Sequence, residues 1–187
     1  MEALAAKLTR FFLQNNYIEP EQAAWLQYGL TRRLMGLATF VLLLPVGAFL
    51  VGWPGAFLYV FTFRFLRTRT GGYHAATPHG CLLSSLCSMV AALALARAVS
   101  SRLVCAVLLF GAALLIALLA PANNAALHLS EEEIAAIRPR ALARLAIAVL
   151  AGCALLCGSV MLANCVAVSL LAVAALLVFS NLGLGTQ

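Results

Sequence analysis

Charged residues are scarce in this chain. Only 10% of its 187 residues are charged, whereas an ordinary soluble domain has about 25%. Hydrophobic residues make up 64% of the sequence. This composition excludes a soluble globular domain and predicts an integral membrane protein.

Paired cysteine motifs are also absent. Five of the six cysteines lie inside apolar segments without CxxC spacing, where a buried thiol behaves as a small hydrophobic side chain. Neither a disulfide framework nor a zinc site is indicated, and no residue cluster suggests another metal or an organic cofactor. These five residues are Cys87, Cys105, Cys153, Cys157 and Cys165.

Two further absences concern targeting and charge. The first 30 residues contain no short apolar core followed by a small-residue cleavage site, so we expect no removable signal peptide. The net charge is +6, but the basic residues stand at the ends of apolar runs and do not cluster on a polar face. This distribution excludes nucleic-acid binding.

Most of the sequence consists of long apolar runs. A transmembrane helix needs about 20 apolar residues. Residues 34–63 carry no charge, but prolines and glycines interrupt them, which predicts two apolar helices that turn near Trp53 and Pro54. Four more apolar runs cover residues 82–96, 103–120, 145–162 and 165–180. We therefore predict an all-α, polytopic helical membrane protein, one domain over residues 1–187, with about six apolar helical segments.

The N-terminal 33 residues have a different pattern. Residues 3–13 place leucines and phenylalanines on one helical face and polar residues on the other, which is typical of an amphipathic helix in the membrane interface. A second short helix is predicted to begin at Pro20 and to carry Trp25 and Tyr28, aromatic residues that favour the interface. Residues 1–33 are thus expected to be interfacial.

The positions of the basic residues predict the orientation in the cell membrane. With the N-terminus in the cytoplasm, ten of the twelve basic residues lie on the cytoplasmic side, as basic residues generally do. The two polar segments at residues 64–81 and 121–144 are then both cytoplasmic. The ten residues are Lys7, Arg10, Arg32, Arg33, Arg64, Arg67, Arg69, Arg138, Arg140 and Arg144, and the exceptions are Arg97 and Arg102.

The segment from Arg67 to Cys81 contains the most reactive group of residues. A cysteine attacks a peptide carbonyl as the thiolate, and a nearby imidazole or a helix N-terminus lowers the thiol pKa from about 8.5. His74 and Cys81 form a candidate pair. On one continuous helix they would lie about 10 Å apart along the axis, too far for a hydrogen bond.

Thr77-Pro78 resolves this difficulty. Threonine is a favoured N-cap and proline a favoured first helical residue, so a helix is predicted to begin at Pro78, with Cys81 near its first turn. The helix dipole would then favour the thiolate, while Gly71 and Gly72 allow the loop to fold His74 back over the cysteine. Arg67, or free N–H groups at the helix start, could stabilise an oxyanion.

Simpler interpretations exist for each of these residues. A histidine and a cysteine seven positions apart are more often interface residues than a catalytic pair. Arg67 and Arg69 fit positive-inside anchors, and Gly71-Gly72 fits a plain turn. His79 could replace His74 as the base but would point away from Cys81 on a helix. His128 is explained equally well as a solvated loop histidine. The hydroxyls of Ser84 and Ser85 can each bond to a backbone carbonyl of their own helix. Cys153 and Cys157, one helical turn apart, can serve in helix packing.

The pattern Arg67, Gly71-Gly72, His74 and Cys81 closely resembles the core motif of the accessory gene regulator B (AgrB-like) family of membrane peptidases. Two other segments support this resemblance: Tyr28-Gly29-Leu30 is similar to the family's entry into its first span, and Ala120-Pro121 with residues 129–132 is similar to its later cytoplasmic loop. That loop departs from the family at Asn123, Leu127 and His128, where an acidic residue and a Lys-Pro pair are usual.

The resemblance implies a reaction. Cys81 would attack a backbone carbonyl of a small membrane-associated propeptide, release its C-terminal tail and hold the remainder as a thioester, with His74 as base and then acid. An internal cysteine or serine of the peptide would then close a thiolactone or lactone ring. The resemblance also implies a homodimer in the lipid bilayer.

Two other classes of protein fit the composition. A small transporter or channel is usually marked by charge inside the membrane and by interrupted spans, and here only Arg64 is a candidate intramembrane charge. A non-catalytic scaffold is the third class, and it predicts that replacing Cys81 leaves the function intact.

Overall fold

The computed structural model describes residues 2–71, 78–122 and 130–182, without the side chains of residues 32, 78, 79 and 81, and all the regular secondary structure in these ranges is helical. This confirms the predicted all-α fold. A short 3-10 helix, Pro20–Gln22, precedes α2. The α-helices are α1 (Glu2–Gln14), α2 (Ala23–Thr70), α3 (Pro78–Ala98), α4 (Arg102–Leu119), α5 (Glu131–Gly158) and α6 (Val160–Asn181).

By length and composition, four helices in the described part of the chain can cross a membrane. They are the helix over Pro20–Thr70, α4, α5 and α6, and a shorter apolar helix covers Leu82–Ala98. The chain divides into two units, Met1–Leu42 and Leu43–Gln187. In the first unit, Leu4, Phe11 and Trp25 are exposed, and the interfacial helix predicted from Pro20 continues without a break into the first apolar helix.

Helix α2 folds back on itself at Gly52. This residue has φ 76° and ψ 162°, a conformation that glycine adopts far more readily than other residues. A Cβ atom placed on Gly47 would lie 3.0 Å from the Cβ atom of Ala56, although nine residues of straight helix span about 13 Å. The part of the uncharged run that lies in the second unit therefore forms a helical hairpin. The turn predicted near Trp53 and Pro54 is confirmed, with its centre at Gly52.

Helix α6 forms the centre of the second unit. It packs against α3, α4 and α5, and its residues Val166, Leu170, Val173 and Leu177 are buried. A Cβ atom on Gly152 of α5 would lie 2.9 Å from a methyl group of Leu109 in α4. Small residues thus allow these helices to approach closely.

Serine caps determine where the later helices begin. The hydroxyl of Ser130 accepts a hydrogen bond from the N–H of Glu133 at 3.2 Å, and the Glu133 carboxylate accepts one from the N–H of Ser130 at 3.0 Å. This reciprocal capping box starts α5 at Glu131, well before its apolar part. The second half of the polar segment 121–144 is therefore helical. Ser159 alone separates α5 from α6.

Asn164 joins α6 to the end of α3. The residue is fully buried, and its Nδ2 atom donates hydrogen bonds to the carbonyl oxygens of Ala96 at 3.0 Å and Val99 at 2.6 Å. Carbonyl groups at a helix C-terminus have no partner within the helix. Asn164 therefore supplies donors that the end of α3 lacks inside an apolar core.

Replacing Asn164 by leucine is expected to destabilise the protein. The change leaves the buried carbonyl group of Ala96 and the partly buried carbonyl group of Val99 without their donor, and such a loss at a buried group costs about 1–3 kcal/mol. The unfolding temperature in detergent measures the effect. Ser169→Ala is the matched control on the same helix, because the buried Ser169 hydroxyl has no hydrogen-bond partner among the described residues. Equal unfolding temperatures for the two variants would contradict this role of Asn164.

Candidate active site

Two helix ends frame the candidate site. Helix α2 ends at Thr70, and α3 begins at Pro78, with Cys81 as its fourth residue. The backbone of Cys81 is helical, whereas the residues before Pro78 lie outside the described part of the chain, so the helix start at Pro78 stays a prediction. His74, Gly72 and the side chain of Cys81 lie outside the described part of the chain, so their catalytic contact stays a prediction.

Gly71 ends α2 with a left-handed backbone. Its φ is 68°, and glycine is the usual residue where a helix ends in this conformation. A Cβ atom at Gly71 would lie 3.5 Å from the carbonyl oxygen of Ala122 and 3.6 Å from its Cβ atom. These are ordinary contact distances, so the backbone conformation and not the space makes glycine necessary.

Replacing Gly71 by alanine is therefore expected to cost about 1–2 kcal/mol, the strain of a left-handed residue with a Cβ atom. Gly71→Asn should cost less, because asparagine tolerates this conformation better than alanine. Unfolding temperatures of the two variants in detergent provide the comparison. A larger loss for asparagine than for alanine would show that space, and not φ, is the constraint.

A hydrogen bond joins the two polar segments that frame the site. The N–H group of Ala122 donates to the carbonyl oxygen of Thr70 at 2.8 Å. Thr70 is fully buried, and Ala122 is 1% exposed. The polar segments 64–81 and 121–144 thus meet at Thr70, the residue before Gly71. The positions of the basic residues predicted that these two segments lie on the same side of the membrane.

Arg67 and Arg69 lie in the last turns of α2, and both are partly buried. The Nη1 atom of Arg67 is shielded from solvent. Residues two positions apart on a helix point in nearly opposite directions. Arg67 follows the fully buried Leu66 and Arg69 precedes the fully buried Thr70, so the assignment of oxyanion stabilisation to Arg67 stays a prediction.

Two arginines of α5 have contacts that the sequence did not indicate. Arg138 donates from Nη2 to the carbonyl oxygen of Ala117, near the end of α4, at 3.5 Å. Arg144 donates from Nη1 to the carbonyl oxygen of Phe65 at 2.7 Å and to the hydroxyl of Thr68 at 2.5 Å. The sequence analysis assigned both arginines only to the cytoplasmic side of the membrane. The residues next to an arginine in the sequence do not reveal which distant helix it contacts.

The remaining candidate residues form no second site within the described ranges. The thiol of Cys157 donates to the carbonyl oxygen of Cys153 at 3.6 Å, one turn earlier in α5, which fits the interpretation as helix packing. His79 lies in α3, but its side chain is not described, and His128 lies outside the described residues. Within the described ranges, no three histidine, cysteine or acidic side chains are grouped so as to hold a metal ion.

Comparison with known families places this chain in one of them. The family model described as accessory gene regulator B matches residues 5–180. The chain belongs to this family. No curated protein and no solved structure gave a significant match.

Family membership connects the fold to a process. An accessory gene regulator B protein takes part in peptide processing for accessory gene regulator quorum sensing. The match runs from α1 to the end of α6, so it includes both polar segments and every apolar helix. This chain is thus a helical membrane protein of that process.

Proposed function

We propose that this protein is a membrane cysteine endopeptidase that removes the C-terminal tail of a small quorum-sensing propeptide and cyclises the remainder. The observation that carries the proposal is that the backbone around Cys81 is helical from Pro78 onward. A helix that begins at Pro78, as Thr77-Pro78 predicts, leaves the N–H groups around Cys81 without helical acceptors at the positive end of the helix dipole. Both features favour a thiolate.

The first step is attack on the propeptide. The Cys81 thiolate adds to the carbonyl carbon before the tail, and the oxyanion that forms accepts hydrogen bonds from α3 N–H groups or from Arg67. The C–N bond then breaks. The His74 imidazolium gives its proton to the departing amine, and a peptidyl thioester remains on Cys81.

The second step closes the ring. A thiol or hydroxyl inside the bound peptide gives its proton to His74 and attacks the thioester carbonyl. The C–S bond to Cys81 breaks, which restores the thiolate and releases a thiolactone or lactone. Ring closure competes with hydrolysis because the bound nucleophile has a high effective concentration and the membrane-adjacent site limits water.

The basic residues support a cytoplasmic site. Arg67, Arg69, Arg138 and Arg144 all belong to the two segments that the Thr70–Ala122 hydrogen bond joins. Basic residues concentrate on the cytoplasmic side of membrane proteins. The propeptide would therefore reach the site from the cytoplasm or from the inner surface of the membrane.

A transporter is the second candidate, and the described core argues against it. The buried polar side chains in the described ranges are threonine, serine and asparagine. Transporters typically bury charged residues along an ion or substrate pathway. A core whose described polar residues are neutral is expected for an enzyme that acts at the membrane surface.

The test is co-expression with a short amphipathic peptide that is encoded beside this protein and carries a central cysteine or serine and an acidic tail. Mass spectrometry follows loss of the tail with the native chain, Cys81→Ala and His74→Ala. Loss of the tail only with the native chain supports the proposal. Equal cleavage by all three chains would mean that the pair is structural.

A further inference from the structure

The end of α2 is the starting point of the segment that carries His74. Three contacts hold this end in place. Leu66 is fully buried in the core formed with α4, α5 and α6, and the carbonyl oxygen of Thr70 accepts the Ala122 N–H at 2.8 Å. The third contact comes from Arg144 of α5.

Arg144 contacts the last turns of α2 in three ways. Its Nη1 atom donates to the carbonyl oxygen of Phe65 and to the hydroxyl of Thr68. Its guanidinium carbon lies 4.8 Å from the centroid of the Phe65 ring. A cation is favoured at the negative end of a helix dipole, and hydrogen bonds from a charged donor are stronger than neutral ones.

We propose that Arg144 is a positioning residue for the peptidase reaction. It fixes the last turns of α2 against α5 and so fixes the point from which the chain runs through Gly71 to His74. This inference rests on the proposed function. Catalytic rates respond steeply to such placement, since a shift of about 1 Å can cost on the order of 10²-fold.

A purely structural role for Arg144 makes a different prediction. If its contacts only stabilise the packing of α5 against α2, its loss lowers the unfolding temperature but leaves the folded enzyme with native turnover. If it positions His74, the folded enzyme itself is slower, and the imidazole no longer supports the Cys81 thiolate.

Four variants of the full chain in native membranes separate these roles. Arg144→Gln removes the charge and the hydrogen bonds, Arg144→Lys keeps the charge, and Thr68→Val removes one acceptor. Arg140→Gln is the matched control, because Arg140 lies on the same helix, is exposed and makes none of these contacts. Each variant is measured for tail release and for alkylation of Cys81 by iodoacetamide, followed by peptide mass spectrometry.

Arg144→Gln is expected to lower kcat about 10- to 100-fold with little change in KM, because positioning affects the reacting groups more than binding. Its Cys81 alkylation rate at pH 7 should fall towards that of His74→Ala. Arg144→Lys should recover part of the rate, Thr68→Val should lie between the native chain and Arg144→Gln, and Arg140→Gln should match the native chain.

Native kcat and native alkylation of Cys81 in Arg144→Gln would overturn the inference, even with a lower unfolding temperature. If Arg144→Gln does not accumulate, Arg144→Lys and Thr68→Val carry the test, and native values in both would overturn it equally. Native cleavage by His74→Ala and Cys81→Ala would instead refute the proposed function. The two failures are therefore distinguishable.

Discussion

Replacing His74 by alanine is expected to slow tail release by about 10²–10⁴-fold at pH 7, the usual contribution of a general acid–base residue. Without the imidazole, only the helix N-terminus favours the Cys81 thiolate, so a larger share of the thiol stays protonated at pH 7. The remaining activity should therefore rise between about pH 7 and pH 9. Cys81→Ala should show no activity at any pH, because no nucleophile remains.

Initial rates of tail release across this pH range, measured in native membranes, provide the comparison. His79→Ala is the matched control, since His79 is the other histidine between Arg67 and Cys81. It should retain native rates. A loss in His79→Ala with native rates in His74→Ala would assign the base to His79.

Replacing Arg67 by glutamine is expected to lower kcat by about 10²–10³-fold, the effect of removing one oxyanion donor. KM should change little, because the oxyanion exists only in the transition state and not in bound propeptide. The partly buried guanidinium of Arg67, with its shielded Nη1 atom, supports such a role, since a hydrogen bond is stronger where water is excluded.

Arg69→Gln is the control for Arg67. It removes the same charge from the same helical turn and should change kcat little, because Arg69 points away from Arg67. Steady-state kinetics in native membranes measure both variants. Similar losses in the two would indicate that each arginine serves only as a membrane anchor.

The residues around Cys81 show where sequence reasoning succeeds. A helix over Cys81 was predicted from Thr77-Pro78, because capping and proline preferences act over neighbouring positions, and the backbone from Pro78 onward is helical. The turn in the uncharged run followed from its glycines and prolines for the same reason. The start of α5 at Glu131 was not predicted, because its polar first turns lack the apolar pattern, although Ser130 and Glu133 form a capping box.

The contacts that hold the site together could not be predicted in this way. The Arg144 hydrogen bond to Phe65 joins residues 79 positions apart, and the bond of Asn164 to Ala96 joins residues 68 positions apart. A single arginine or asparagine in a helix has the same local pattern whichever helix lies beside it. Its partner depends on the order in which the helices pack.

The sequence by itself determined that this protein is helical and membrane-embedded, where its uncharged run turns, and which residues could form a thiol peptidase. These properties depend on composition and on spacing along a few neighbouring residues. Only the tertiary structure decided that Ala122 meets Thr70 and that Arg144 holds the end of α2. Such contacts arise when α6 brings distant helices together in one core, where each buried polar group must find its partner.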